Sequence, residues 1–563
     1  MGNATKSKRI WGTLDPFLES GPVLGRKVAN TGFITALLQA DPFDGYHFYL
    51  GDHAAQVSLE SLLRRTFPKV GRRVSVRPTL ELPRALAAES YHCFHLSDCF
   101  RHQPHLVRLR NARSATIFPI TAPIHSLSYA TYAHDFLPHL WAGVTPRDAI
   151  VATSRAGAEA VERFFAGLRA GYGLDETGFP GPALRRIPLG VDPGELTPAG
   201  PDERRAARAE LGIDPEALVV LVFGRIAHYS KMDILPLLRA FQRVLGHGEG
   251  QDEGGELRGR VHLLLAGWAD HGDTFPQSLT DMARNIGLSA GLVARPETER
   301  KRRCYQAADL FVSIADNPQE TFGLTLLEAQ SAGLPVIASD YDGYRDLVDP
   351  GVTGLLVPTL GPGPEGTADV DELAPLLFDN QYHLLLAQRT AVEVPALAEA
   401  LTALLAGPDA AARRAAMGAA GRERVLANYT WAGVVAQYVA LWEELSALPA
   451  DPPRNAAHPL HVAYGRTFAH YATRTLTPET RLAVGALGAA FQRGRDFPLI
   501  YPGVAHLVDE AALRALVVLA RRPIPAADLA RKLAERAPGL APQDLDALLL
   551  WALKHDLLER SDP

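Results

Sequence analysis

Cysteine is nearly absent: Cys93, Cys99 and Cys304 are the three in 563 residues. Three thiols make no disulfide framework, and they fit a reducing compartment. A basic excess is also missing. Lysine and arginine number 57 against 63 acidic residues, a formal net charge of -6, which argues against a dedicated nucleic-acid binder but leaves room for a local basic pocket. No run of about eighteen apolar residues occurs, so nothing reads as a transmembrane segment. The opening MGNATKSKRIWG has positive charge but neither an apolar stretch nor a small-residue cleavage signal, and it does not fit the myristoylation pattern. These absences point to a cytoplasmic protein, with peripheral attachment at the inner membrane face left open.

What remains is ordinary globular material, 47% hydrophobic and 21% charged, in a chain long enough for about three domains. Between residues 200 and 360, short β-branched or leucine runs alternate with amphipathic stretches. Leu218–Phe223, Val261–Ala266, Gly291–Ala294, Leu310–Ile314 and Pro335–Ser339 read as strands. Met232–Leu245, Ser278–Ile286, Arg300–Ala308 and Phe322–Ala332 read as the helices between them. Continuous apolar strands alternating with helices mean a parallel sheet covered on both faces, with ligands beyond the strands' carboxyl ends. The first two hundred residues repeat the pattern less cleanly, with strands at Tyr46–Leu50, Tyr91–Leu96, Thr116–Ile120 and Ala149–Thr153, the last followed by a helix over Ser154–Phe165. The expected fold class is therefore α/β, with two Rossmann-like domains.

The expected organisation is an N-terminal domain over 1–195, with Arg185–Leu196 bridging to a second domain over 196–428. A returning helix over 429–446, a proline-rich linker over 447–459 and a helical extension over 460–563 follow. His247–Arg260 and Leu360–Glu372 read as surface loops. In the extension, Glu510–Arg522, Ala526–Arg536 and Pro542–Glu559 read as three short helices, a small all-α, helix-turn-helix-like module whose chain ends before a wing could follow.

The chemistry concentrates in ADLFVSIADNPQETFGLTLLEAQSAGLPVIASD, residues 308–340. Glu320 follows a strand and precedes a helix. Thr321, Phe322, Gly323 and Leu324 would form that helix's first turn, whose free amides favour a phosphate. Glu328 stands two turns on. Carboxylates repel phosphate, so Glu320 and Glu328 suit the hydroxyl-rich parts of a ligand. In VLVFGRIAHYSKMDILPLL, Arg225 and Lys231 flank the loop after a strand, where two cations could clamp a diphosphate and stabilise its developing charge.

These two segments resemble the donor-binding half of glycosyltransferase family 4, retaining enzymes of the GT-B fold. The E-x7-E element falls on Glu320 and Glu328 with FGL between, and the Arg/Lys pair on Arg225 and Lys231. GRERVLANYTWAGVVAQYVALWEEL is similar to the family's terminal helices. The resemblance covers roughly residues 140 to 446. It implies two domains facing a cleft, the acceptor on the first and a nucleotide-diphosphate sugar on the second as co-substrate, with no other cofactor and no metal. Glu320 would contact the donor sugar and Glu328 the ribose, while Arg225 and Lys231 hold the diphosphate beside the Gly323 and Leu324 amides. His125, in PITAPIHSLSYA, would be the first-domain histidine near the reacting sugar. Transfer would follow a front-face route, with no protein nucleophile. The sequence departs from the family where Met232 replaces a glycine and Leu189 an asparagine.

Other readings stay open. Glu328, Arg225 and Lys231 taken singly would be solvated charges, and His125 an ordinary loop histidine. The run Tyr91–His105 is rich in His and Cys, but His92 and His95 would face opposite sides of a strand and no common zinc spacing fits. Asp340-Tyr-Asp342 resembles the acidic triplet of metal-dependent transferases but follows a strand of another architecture. The rival functions are a nucleotide-sugar epimerase or a phosphorylase on the same fold, and a non-catalytic scaffold whose residues 460–563 recruit a protein or peptide partner. The sugar and the acceptor (glycan, lipid, natural product or peptide) are not encoded in any motif.

Overall fold

The parallel strands form where the apolar runs stand, in a computed structural model that describes residues 8–18, 25–246, 257–269, 272–450, 462–504, 508–537 and 542–561. The opening heptapeptide, most of the loop His247–Arg260, part of GPVLGRKVAN (21–30), which stands in the place of the family's first-loop glycine pair, and most of the proline-rich linker lie outside those residues. The chain packs as two units, Met1–His458 and Pro459–Pro563.

The first unit holds two sheets. One contains β1 (Ile10–Thr13), β2 (Gly45–Leu50), β3 (Val74–Pro78), β4 (Cys93–His95), β5 (Ile120–Pro123), β6 (Asp148–Ala152) and β7 (Ala183–Arg186), in the order β3-β2-β1-β4-β5-β6-β7. The other contains β8 (Leu218–Arg225), β9 (Val261–Trp268), β10 (Ser289–Ala294), β11 (Leu310–Ser313), β12 (Val336–Ser339) and β13 (Gly354–Val357), in the order β10-β9-β8-β11-β12-β13. All of these pairings are parallel. Each order reverses once, between β1 and β4 and between β8 and β11. In open α/β sheets, ligands bind beyond the strands' carboxyl ends at such reversals.

Both faces of each sheet are apolar, as the continuous strands require. Val219, Leu221 and Phe223 enter one core of the second sheet, and Val220 and Val222 the other. In the first sheet Trp11, Phe48 and Val151 pack on one face, and Tyr49, Phe94 and Ile150 on the other. The helix Trp431–Ala447 crosses back onto the first of these faces. Val434, Tyr438 and Trp442 are buried there, and the Trp442 indole donates to Thr121 Oγ1 at 2.8 Å. Its start is tied by the bridge Val191↔Thr430.

Two sequence readings shift. The strand expected at Thr116–Ile120 lies at Ile120–Pro123, because Ile117 and Phe118 carbonyls are taken by Arg147 and Arg110 rather than by a ladder. Arg110 also forks onto Asp148 at 2.6 and 2.9 Å, both fully buried. The loop expected at Leu360–Glu372 is part of a folded insert. It starts from β14 (Thr359–Leu360), which pairs antiparallel with β15 (Ala391–Val392), and it carries the helices Ala368–Leu373 and Asp379–Ala387.

The second unit contains the three expected helices at Glu510–Leu519, Ala526–Arg536 and Pro542–Lys554. It is not purely helical. β16 (Arg481–Val484), β17 (Ile524–Pro525) and β18 (Leu558–Arg560) form an antiparallel sheet in the order β17-β16-β18. The last expected helix stops at Lys554, and β18 follows it where no wing was expected. Strands of two to four residues are too short for a period-two pattern to register, so sequence periodicity missed them. Leu482 and Leu558 from the strands join Leu513, Leu516, Leu529 and Leu548 in one core.

Candidate functional site

The second sheet turns its chain at β8. Arg225 is the last residue of that strand, and the loop returns through Lys231. The ends of β8 and β9 lie unusually close: a Cβ on Gly267, whose φ is +138°, would sit 1.7 Å from the Gly224 carbonyl oxygen. Met232, where the family has glycine, points inward at 2% exposure and packs with Ile234 and Leu237. That anchors the loop, and Lys231 beside it faces the cleft.

Lys231 Nζ pairs with Glu320 Oε2 and donates to the Tyr344 hydroxyl at 3.2 Å. The Tyr344 hydroxyl is hydrogen-bonded in turn to Ser313 Oγ at 2.7 Å. Burial alone would raise the Glu320 carboxyl, but the Lys231 charge and hydrogen bond hold it below its ordinary value. Burial would lower Lys231, yet Glu320 and Tyr344 push it above its ordinary value. The two side chains therefore stay charged across the neutral range. Arg225 Nη1 donates to Ser230 Oγ at 3.2 Å and lines the same cavity.

The helix at this site begins two residues later than Phe322, at Leu324–Ser331. Thr321 and Phe322 form the approach instead. Phe322 is 3% exposed in the core, and its amide donates to Glu320 Oε1 at 3.3 Å, so it is not a free amide. Gly323 caps the helix at φ +113°, where a Cβ would lie 2.6 Å from the Tyr344 ring. Both the backbone conformation and Tyr344 demand glycine here. Leu324 and Thr325 line the cavity at the first two helical positions, where backbone amides have no intrahelical acceptors.

Glu328 is not a solvated helix residue. Lys301 Nζ donates to its Oε1 at 2.6 Å and the Tyr305 hydroxyl to its Oε2 at 2.9 Å. Sequence reasoning missed both partners. Lys301 sits in the run Glu299–Arg303, which reads as a charged outer face, and Tyr305 reads as core.

Across the cleft, His125 lies just past β5. Its Nε2 donates to the Ser97 carbonyl at 2.8 Å, and Ser97 is pinned in turn by Asp15. Burial lowers His125 to about 4. The imidazole is thus neutral at pH 7, and with Nε2 carrying the proton, Nδ1 is an acceptor. Arg26 and Asp98, 3.3 Å apart, stand on the same wall. Together these groups line a cavity of about 650 Å³ between the carboxyl edges of the two sheets. All nine sequence-nominated residues, Arg225, Lys231, Glu320, Thr321, Phe322, Gly323, Leu324, Glu328 and His125, border it.

Two other sequence features lie elsewhere. In the His/Cys run, His95 bonds Thr121 Oγ1 at 2.9 Å among aromatic rings, and Cys93 and Cys99 are buried in two different cores. Asp340 pairs with Arg345, while Asp342 turns the chain at φ 46° beneath the Glu320 loop. Burial, then the Glu320 charge, raises the Asp342 carboxyl well above its ordinary value.

Residues 203–361 match the family model described as glycosyl transferases group 1. Among curated relatives, the D-inositol 3-phosphate glycosyltransferase of Rhodococcus erythropolis is 34% identical over 216 residues, 38% of this chain and 43% of that protein. The GDP-mannose-dependent monoacylated alpha-(1-6)-phosphatidylinositol monomannoside mannosyltransferase of Corynebacterium glutamicum is 30% identical over 255 residues, 44% of this chain and 53% of that one. The chain thus spans about half the length, or less, of the curated relatives it matches. Among solved structures, a glycosyltransferase from Rickettsia africae ESF-5 aligns with a TM-score of 0.51 at 14% identity, over 79% of this chain and all of that one. Anabaena HepE in complex with UDP aligns with a TM-score of 0.50 at 16% identity, over 78% of this chain and all of that one. At such identity the structural likeness speaks for architecture alone: the first unit has the GT-B fold, and its second sheet carries a segment similar to the group 1 glycosyl transferases.

Proposed function

We propose that this chain is a retaining glycosyltransferase, which moves a hexosyl group from a nucleoside-diphosphate sugar to a hydroxyl-bearing acceptor without a metal. The observation that carries the reading is the Lys231–Glu320–Tyr344 array at the start of the helix Leu324–Ser331, with Arg225 beside it and Glu328 one wall away. A cation pair next to free amides suits a diphosphate, and carboxylates further along suit hydroxyls.

In this reading Arg225, Lys231 and the Leu324 and Thr325 amides bind the diphosphate and stabilise its charge as it leaves. Glu320 accepts from a sugar hydroxyl, and Glu328, oriented by Lys301 and Tyr305, accepts from the ribose. The bond between the anomeric carbon and the phosphate oxygen breaks. A bond to the acceptor oxygen forms on the same face, and the acceptor proton passes to the leaving phosphate. His125, neutral on the acceptor wall, offers Nδ1 to an acceptor hydroxyl and takes no part in covalent chemistry.

The relatives' names supply the first substrates to try, GDP-mannose as donor and D-inositol 3-phosphate or monoacylated phosphatidylinositol monomannoside as acceptor, and the UDP bound by HepE adds UDP sugars to the donor panel. The test is a thermal-shift panel of nucleotides and nucleotide sugars on the wild type and Glu328→Ala. A ligand at a hundred times its dissociation constant stabilises by about 2.7 kcal/mol. One diphosphate sugar should shift the wild type and not the variant. Glu320→Ala should then cut transfer by about 10² or more. A panel in which no nucleotide shifts the wild type would overturn the donor site.

A further inference from the structure

The group 1 family match ends at residue 361, at the threshold of the insert framed by β14 and β15. Its helix Asp379–Ala387 is nine residues long and reaches the opposite sheet domain. Tyr382 and His383, 3% and 0% exposed, both contact Ser128, three residues past His125. The Tyr382 hydroxyl donates to the Ser128 carbonyl, and His383 Nε2 lies 2.8 Å from Ser128 Oγ and 3.0 Å from its carbonyl.

His383 also reaches the loop that carries Glu320. Gln319 Nε2 lies 2.8 Å from His383 Nδ1. An amide nitrogen only donates, so Nδ1 accepts and Nε2 bears the proton, which matches its carbonyl contact on Ser128. The same loop is held twice more. Asn317 Nδ2 donates to the Tyr229 carbonyl at 2.9 Å, two residues before Lys231, and Ser126 Oγ donates to the Gln319 carbonyl at 2.8 Å. Glu320's own amide closes onto the Asn317 carbonyl at 3.1 Å.

We infer that His383 is a positioning residue: through Gln319 it fixes the Glu320 loop, and through Ser128 it registers that loop against the acceptor wall, so that the insert, outside the family's matched segment, sets the site's geometry. The ring is suited to this because a neutral imidazole accepts on one side and donates on the other, and burial lowers its pKa. Glutamine and asparagine each reproduce one side only, Asn the acceptor at Nδ1 and Gln the donor at Nε2.

The experiment has two arms. Amide hydrogen exchange on the full chain without nucleotide compares the wild type with His383→Ala, His383→Asn, His383→Gln and Gln319→Ala. Exchange over Gln319–Phe322 should rise about tenfold or more in His383→Ala and Gln319→Ala. His383→Asn should protect that loop better than His383→Gln, with the reverse order at Ser126–Tyr129. Unchanged exchange in both alanine variants would overturn the inference whatever the protein's substrate, and Gln319→Ala serves if His383→Ala does not fold.

The second arm rests on the reading of Glu320 as a donor-sugar contact. It compares dissociation constants for UDP against UDP-glucose and GDP against GDP-mannose. In His383→Ala the nucleoside diphosphate should bind as in the wild type, while the extra affinity contributed by the sugar falls about tenfold. Equal loss for both ligands would mean a merely structural role and would sink the positioning claim. If no nucleotide binds the wild type, it is the functional reading that fails, and the exchange arm still decides.

Discussion

Lys231 and Glu320 are each about one-seventh exposed, at 15% and 14% of their side-chain surface, and each is the other's main partner. Removing one member of such a pair leaves a buried charge uncompensated, at a cost of about 3–5 kcal/mol, whereas removing both costs less. Lys231→Ala is therefore expected to fold but to unfold at lower urea than the double variant Lys231→Ala/Glu320→Gln. A double variant no more stable than the single one would show that the pair carries no buried charge. Of these residues' surroundings, the sequence showed the acid and the base but not Tyr344, whose ring both supports the pair and forces Gly323. The contact spans two loops separated by a helix and a strand, and no local pattern reports it.

At the scale of elements, the β8–β9 ends and the buried histidines of the first sheet are the sensitive places. Gly267→Ala meets the Gly224 backbone, not a side chain that can turn away, and it forces an L-residue to φ +138°. The expected loss is about 3 kcal/mol or more, read as a lowered thermal midpoint. His95, His125 and His139 are lowered by burial to about 3, 4 and 4 from 6.5. A histidine depressed in the native state binds more protons when unfolded, so its contribution is complete above pH 6.5 and is lost as pH falls toward 4. Glu320 is depressed too, but its contribution is lost only below its unfolded value of about 4.5. Between about pH 6.5 and 4 these histidines should therefore pull the thermal midpoint down, against the raised Asp342 and Asp316 carboxyls, which pull the other way, so the test is the difference between the wild-type and variant profiles. His125→Gln should flatten that part of the curve, and an unchanged profile would contradict a buried neutral imidazole.

At the scale of the molecule, two units whose cores share no residues predict two unfolding transitions. A chain ending at Ala450 should keep the transition of the first unit and lose the other.

Periodicity alone determined that two parallel, doubly covered sheets would form, because burial on both faces writes uninterrupted apolar runs into each strand. Residue type and spacing alone placed Arg225 and Lys231 around the loop after a strand, Glu320 before a helix and Glu328 further along that helix, where carboxyl-edge geometry gathers ligand contacts. Only tertiary structure decided that Phe322 is core, that Glu328 is held by Lys301 and Tyr305, that the helix Asp379–Ala387, to which no sequence pattern pointed, brings His383 to Ser128, and that short strands complete the last module. Each of these depends on contacts between segments far apart in the chain, and local sequence pattern carries only the forces that act between near neighbours.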